Sequence, residues 1–228
     1  MGEQNELFEA LRALGKPIVA VLINGRPPSY PALAEGADAI LETWYAGDQQ
    51  GHAIADALFG RVNPGGKLPV TVARDVGQVP NFYNYKPSAR RGYLFSDVTP
   101  LYPFGFGLSY TDFAFGAPQL SSSTISPGQG VTVRVPVRNT GAAAGDEVVQ
   151  VYLHDDVSTV TRPVKELAGF RRITLAPGEE RLVDIPIRAD AFALWNRDMK
   201  RVVEPGSFTI MVGPSSEELQ ETKLTVSQ

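Results

Sequence analysis

Val131-Thr-Val-Arg-Val-Pro-Val-Arg138 places valine at every second position, with threonine, arginine and proline between. Side chains of an extended strand point alternately to its two faces, so this stretch has one apolar and one polar face. The same period recurs at Val149, Val151 and Leu153, at Val183, Ile185 and Ile187, and at Phe208, Ile210 and Val212. Leu224 and Val226 close the series. Turn signals separate the runs: Ser126-Pro-Gly, Asn139-Thr-Gly, Ala176-Pro-Gly and Glu204-Pro-Gly. About seven short strands without a helical pattern predict an all-β sandwich of immunoglobulin or fibronectin type over residues 115–228.

Toward the N-terminus the period changes. Leu7, Leu11 and Leu14 recur at helical spacing, and Gly15 and Pro17 end that helix. The continuous apolar run Ile18-Val-Ala-Val-Leu-Ile23 reads as a parallel strand covered on both faces. A short helix within residues 28–36, a strand over 37–44 and a helix over 48–59 follow. This β/α alternation predicts part of an open α/β sheet, incomplete by itself over residues 1–75. Residues 76–114 form a connecting loop rich in Pro, Gly and Tyr, although 67–72 reads as a short strand feeding it. The predicted fold class is therefore α/β plus all-β.

Composition narrows the function by exclusion. The 228 residues are 43% hydrophobic and 20% charged, as in an ordinary globular protein. A net charge of -4 gives no basic footprint for a nucleic acid. There is no cysteine, so disulfides and thiolate metal sites are excluded, and His52 and His154 fall in different predicted domains. No apolar run is long enough for a helical membrane span. The opening Met-Gly-Glu-Gln-Asn has no positive or apolar region, so a signal peptide is not expected there, and the compartment is not legible.

Trp44-Tyr-Ala-Gly-Asp-Gln-Gln-Gly-His-Ala-Ile-Ala-Asp-Ala-Leu-Phe-Gly-Arg-Val-Asn-Pro-Gly-Gly-Lys-Leu-Pro69 resembles the closing segment of the α/β domain in glycoside hydrolase family 3, the β-glucosidases and β-xylosidases. Tyr102-Pro-Phe-Gly-Phe-Gly-Leu-Ser-Tyr110 stands where that family joins its α/β domain to a fibronectin type III-like sandwich. The resemblance covers nearly the whole chain. It implies the C-terminal part of a retaining, exo-acting β-glycosidase that releases terminal β-D-glucosyl or β-D-xylosyl residues without metal or cofactor. It also implies that the nucleophilic aspartate lies in an N-terminal barrel and the acid/base glutamate upstream of this chain. Implied partners are that barrel portion and a β-linked oligosaccharide or aryl glycoside, with a homodimer possible. A stand-alone carbohydrate- or protein-binding sandwich is the alternative reading.

Retaining hydrolysis needs two carboxyl groups about 5–5.5 Å apart. Glu35, Glu42, Asp155, Asp156, Glu179 and Glu180 all read as caps or solvated surface, so no catalytic residue is assigned. Asn63-Pro-Gly-Gly-Lys67 fails as a phosphate loop, because Leu68 stands where a Ser or Thr would be needed, and reads as a tight turn. Candidate substrate contacts are aromatic and guanidinium groups, which can cover sugar C–H faces and bind hydroxyls. Trp44 and Tyr45 follow an apolar strand at the edge where α/β sheets place ligand crevices. Tyr83, Tyr85, Arg90, Arg91 and Tyr93 cluster in the connecting loop, and the substrate contacts are taken from Tyr85, Arg90, Arg91 and Tyr93.

Overall fold

The structure is a computed structural model, and it describes residues 3–89, 92, 95 and 97–228. The chain divides into two compact units, which interleave in sequence. The first comprises Met1–Val62, Thr71–Asn81 and Gly92–Tyr102; the second comprises Asn63–Val70, Phe82–Arg91 and Pro103–Gln228.

In the first unit, helix α1 (Gln4–Arg12) is followed by β1 (Val19–Leu22), α2 (Pro31–Gly36), β2 (Ala39–Glu42) and α3 (Gln50–Leu58). Strands β1 and β2 pair in parallel, with Val19 opposite Ala39 and Leu22 opposite Glu42. Pro31 opens α2, where its missing N–H costs nothing. Helix α1 turns its Phe8 inward, while Leu7, Leu11 and Leu14 are 62%, 44% and 67% exposed. The expectation of a doubly covered β1 is not met, since none of its residues is buried. A two-stranded parallel sheet has too few neighbours to cover both faces, which leaves the apolar strand in partial contact with water.

The second unit is the sandwich. Its strands are β3 (Phe113–Phe115), β4 (Gln119–Leu120), β5 (Thr124–Ile125), β6 (Val131–Asn139), β7 (Gly145–Asp155), β8 (Glu166–Leu175), β9 (Glu180–Ile187), β10 (Leu194–Trp195), β11 (Arg201–Val202), β12 (Gly206–Gly213) and β13 (Gln220–Val226). One sheet has the order β5-β13-β12-β7-β8. In the other, β6 pairs with β9 on one side and with β3 and then β4 on the other. The valines of β6 are buried at every second position and pack with Val149, Val151, Ile185, Ile210 and Leu224 in one core. The alternation in the sequence is thus the inward face of two sheets. Pro136 sits inside β6 without breaking it, because its carbonyl accepts from Gly116 N at 2.8 Å in the gap between β3 and β4. Its missing N–H falls where the ladder is already interrupted.

Residues 67–72 are not the strand expected. Leu68 exchanges backbone hydrogen bonds with Gly105 and Phe106, and Val72 forms an isolated bridge with Tyr102. Pro69 has no N–H to continue the ladder. Lys67 serves another purpose, since its Nζ lies 2.9 Å from Glu147 Oε1 and donates to Gly107 O at 3.0 Å. Both side chains are almost fully buried, and burial pushes the Glu147 carboxyl up against the pull of Lys67.

Asp146, next along β7, accepts from Thr174 Oγ1 at 2.5 Å and from Arg172 at 2.5 and 3.0 Å. These bonds hold its carboxyl below the usual aspartate value. A depressed folded-state value stabilises above the unfolded one, about 3.9, and that stability is lost as pH falls through the folded value. Urea midpoints measured from pH 6 down to pH 2.5 should fall, and Asp146→Asn should flatten the fall.

Candidate functional site

The carboxyl ends of β1 and β2 carry a network of half-buried polar groups. Glu42 ends β2, and its carboxylate accepts from Asn24 Nδ2 and from Trp44 N, both at 3.2 Å. Thr43 continues the parallel ladder by donating from N to Leu22 O at 3.0 Å, and its hydroxyl donates to the same oxygen at 2.8 Å. Gln50, at the start of α3, donates from Nε2 to Thr43 Oγ1 at 3.3 Å. Asn24 Oδ1 is buried without a partner, an acceptor left over after this network is complete.

The chain turns sharply here. Trp44 has φ +52, a left-handed conformation that a bulky residue adopts only when its surroundings fix it. The bond from Trp44 N to the Glu42 carboxylate is part of that constraint. Trp44 is half-buried, whereas Tyr45 is 76% exposed. The Tyr45 ring lies against Gly25, where an added β-carbon would come within 2.8 Å of Cε2. The Cε2 edge of the ring therefore lies beside the Gly25 backbone, while most of the side chain is exposed.

Beneath this edge Tyr30 is 3% exposed, with its ring 6.1 Å from that of Tyr102. Burial raises the Tyr30 hydroxyl well above its ordinary value, and the Glu42 carboxylate and Tyr102 add to it. Tyr30, Asn24 and the inward role of Glu42 were not legible in the sequence. Asn24-Gly25 read only as a strand boundary, and Glu42 as solvated surface, whereas the structure makes it the hub of the network.

In the second unit, the connecting loop supplies Tyr83 and Tyr85. Tyr83 stacks on Phe104 at 4.4 Å, meets Tyr152 edge-on at 5.6 Å and accepts Leu167 N at 3.2 Å. It is a brace of the sandwich. Tyr85 is half-buried, and its carbonyl accepts Val164 N at 2.9 Å. Arg90, Arg91 and Tyr93 lie outside the described residues. Among the described residues no group of His, Asp or Glu could hold a metal ion, and no helix is long and apolar enough to cross a membrane.

Fold and site together define a chain in which the closing part of an α/β domain, ending in a polar strand edge, is followed by a fibronectin type III-like sandwich. Residues 1–110 match the glycosyl hydrolase family 3 C-terminal domain, and residues 147–216 match the fibronectin type III-like domain. The chain belongs to glycoside hydrolase family 3 and corresponds to the C-terminal portion of its members. It is 52% identical to a β-xylosidase of Formosa agariphila, over 99% of this chain and 32% of that protein. Identity to a periplasmic β-glucosidase of Salmonella typhimurium is 45%, over 96% and 30%. A solved β-glucosidase from Erythrobacter marinus superposes with a TM-score of 0.96 at 54% identity, over 99% of this chain and 30% of that one. A Listeria innocua β-glucosidase in complex with glucose gives 0.93 at 37%, over 99% and 33%. The chain thus spans about a third of the length of the relatives it matches.

Proposed function

We infer that this chain is the C-terminal part of a retaining, exo-acting β-glycosidase that hydrolyses terminal non-reducing β-D-glucosyl or β-D-xylosyl residues. The observation that carries the reading is its alignment, over nearly its whole length, with β-xylosidases and β-glucosidases about three times as long. The catalytic carboxylates are assigned to an N-terminal barrel portion, either within the same polypeptide or as a separate chain. Residues 1–75 complete the α/β domain, 76–114 connect, and 115–228 form the sandwich. Substrate contacts are assigned to Trp44 and Tyr45 at the strand edge and, separately, to Tyr85, Arg90, Arg91 and Tyr93 of the connecting loop. The exposed ring of Tyr45 suits the C–H face of a sugar ring.

The first unit supports a missing partner on physical grounds. Leu7, Leu14, Val19, Leu58 and Phe59 are all exposed. A contiguous apolar patch of this kind would mark an interaction surface. The reading is tested with aryl β-glucoside and aryl β-xyloside, first with this chain alone and then with the N-terminal portion added. Silence followed by activity on mixing is expected, and the preferred glycoside names the sugar. Activity of the chain alone would overturn the assignment of the carboxylates. In isolation the chain should bind an apolar dye or self-associate, for instance as a homodimer, and a dye-silent monomer would count against the missing partner.

A further inference from the structure

Asn24-Gly25 is the one Asn-Gly pair in the chain. In such a pair the backbone nitrogen of the glycine can attack the side-chain carbonyl carbon of the asparagine and close a five-membered imide. Glycine hinders that closure least, because no β-carbon stands beside the nitrogen and its backbone turns freely. Here the pair follows β1 in a bend outside regular structure, with Gly25 exposed. Gly25 N–H makes no hydrogen bond to any described residue, so no ladder withholds the nucleophile.

The electrophile is loosely held. The Asn24 amide makes one bond, from Nδ2 to Glu42 at 3.2 Å, at the long end of the usual range. Its Oδ1 is buried without a partner, a cost that is recovered when the side chain swings out to water. The other asparagines are hindered. Asn63 precedes Pro64, whose nitrogen has no proton to lose. Asn139 is buried, and its amide is bonded to Ala143 O, Leu175 O and the Thr111 hydroxyl. Asn5, Asn81, Asn84 and Asn196 precede Glu, Phe, Tyr and Arg, whose β-carbons crowd the attacking nitrogen.

We propose that Asn24 is a site of spontaneous deamidation, and that its product dismantles the network at the strand edge. Gly25 N bonds to Asn24 Cγ and gives up its proton, the Cγ–Nδ2 bond breaks, and ammonia leaves carrying that proton. Solvent water then opens the imide at either carbonyl, leaving an aspartyl or an isoaspartyl residue. No oxidant or second substrate is consumed. The aspartyl product replaces the Nδ2 donor by a carboxylate facing that of Glu42, and the isoaspartyl product removes the donor altogether by routing the chain through the side chain. Like charges so placed repel, so Glu42 turns away. It then no longer accepts Trp44 N, the bond that helps to hold Trp44 at φ +52. This modification does not depend on hydrolytic activity, so each can fail without the other.

The test is incubation of the full chain at mildly alkaline pH, followed over time by peptide mapping with mass spectrometry. Conversion of the Asn24 amide to acid is expected at least about tenfold faster than at Asn81, Asn84 or Asn196, with aspartyl and isoaspartyl forms both present. This is read on the unsubstituted chain, so it does not require any variant to fold. Trp195→Phe leaves Trp44 as the only tryptophan, and its emission then reports on the strand edge. That emission should shift in step with the conversion. Asn24→Asp should show the shifted emission from the outset, and Asn24→Gln should resist conversion, because a larger ring must close. Adding Glu42→Gln to Asn24→Asp should return the emission, since the new amide donates to the new carboxylate while its oxygen still accepts Trp44 N. Conversion at Asn24 no faster than at Asn81, an aspartyl product without isoaspartyl, or an unshifted emission in Asn24→Asp would each overturn the proposal.

Discussion

Replacing Lys67 by alanine should destabilise the sandwich unit by about 3–5 kcal/mol, the usual cost of removing one partner from a buried ion pair. The ammonium is 2.9 Å from Glu147 Oε1, and the two side chains are only 12% and 8% exposed. What the substitution leaves behind decides the cost. Glu147 remains on β7 with its carboxylate still accepting Val148 N at 2.6 Å, but with no cation beside it. Burial already raises its folded-state value, and Glu218 pushes the same way. Without Lys67 the value rises further. A raised folded-state value gives stability that is full below the unfolded value, about 4.3, and is lost as pH rises through the folded one. Urea unfolding of Lys67→Ala should therefore show a deficit that shrinks from pH 8 toward pH 5. The double variant Lys67→Met/Glu147→Leu should recover most of the loss, because apolar groups of similar volume carry no stranded charge. A single variant with a pH-independent deficit under 1 kcal/mol would refute the ion-pair account.

A loss of about 3 kcal/mol or more is expected for Gly105→Ala. Gly105 has φ +79, where an L side chain costs about 1–2 kcal/mol. An added methyl group would also come within 2.0 Å of Gln150 Oε1. That side chain has nowhere to go. It is 3% exposed, donates to Gly105 O at 3.1 Å and to Pro214 O at 2.6 Å, and accepts from the buried Tyr152 hydroxyl at 2.6 Å. Swinging it aside would strand a carbonyl and a phenol away from water. Gly128 separates the two contributions, since its φ is +87 but a β-carbon there meets nothing within 4 Å. Gly128→Ala should cost about 1–2 kcal/mol, from the backbone alone. Equal urea midpoints for the two variants would show that the crowding at Gln150 is relieved at little cost.

Much of the second unit is legible in the sequence because its signal is local. Each strand writes its own inward face at every second residue, and Val131, Val133, Val135 and Val137 are all buried as that period requires. The candidate site is legible only in outline. Trp44 and Tyr45 can be placed at a strand end by counting, but the positive φ of Trp44 and the rest of Tyr45 on Gly25 cannot. Glu42 shows the limit most clearly. A carboxylate at a strand end reads as solvated, and only the return of Asn24 from the neighbouring strand turns it inward.

The order of strands and helices, the inward faces of the sandwich, the turns and the resemblance to family 3 are written in the chain itself, because each depends on spacing between near neighbours. The assignment of Asn63–Val70 to the sandwich unit and the burial of Lys67 against Glu147 are decided by tertiary structure. Lys67 and Glu147 are 80 positions apart, and Asn63 and Ala144, joined by a hydrogen bond, are 81 apart. No local period can record a contact between residues that only a closed sheet brings together.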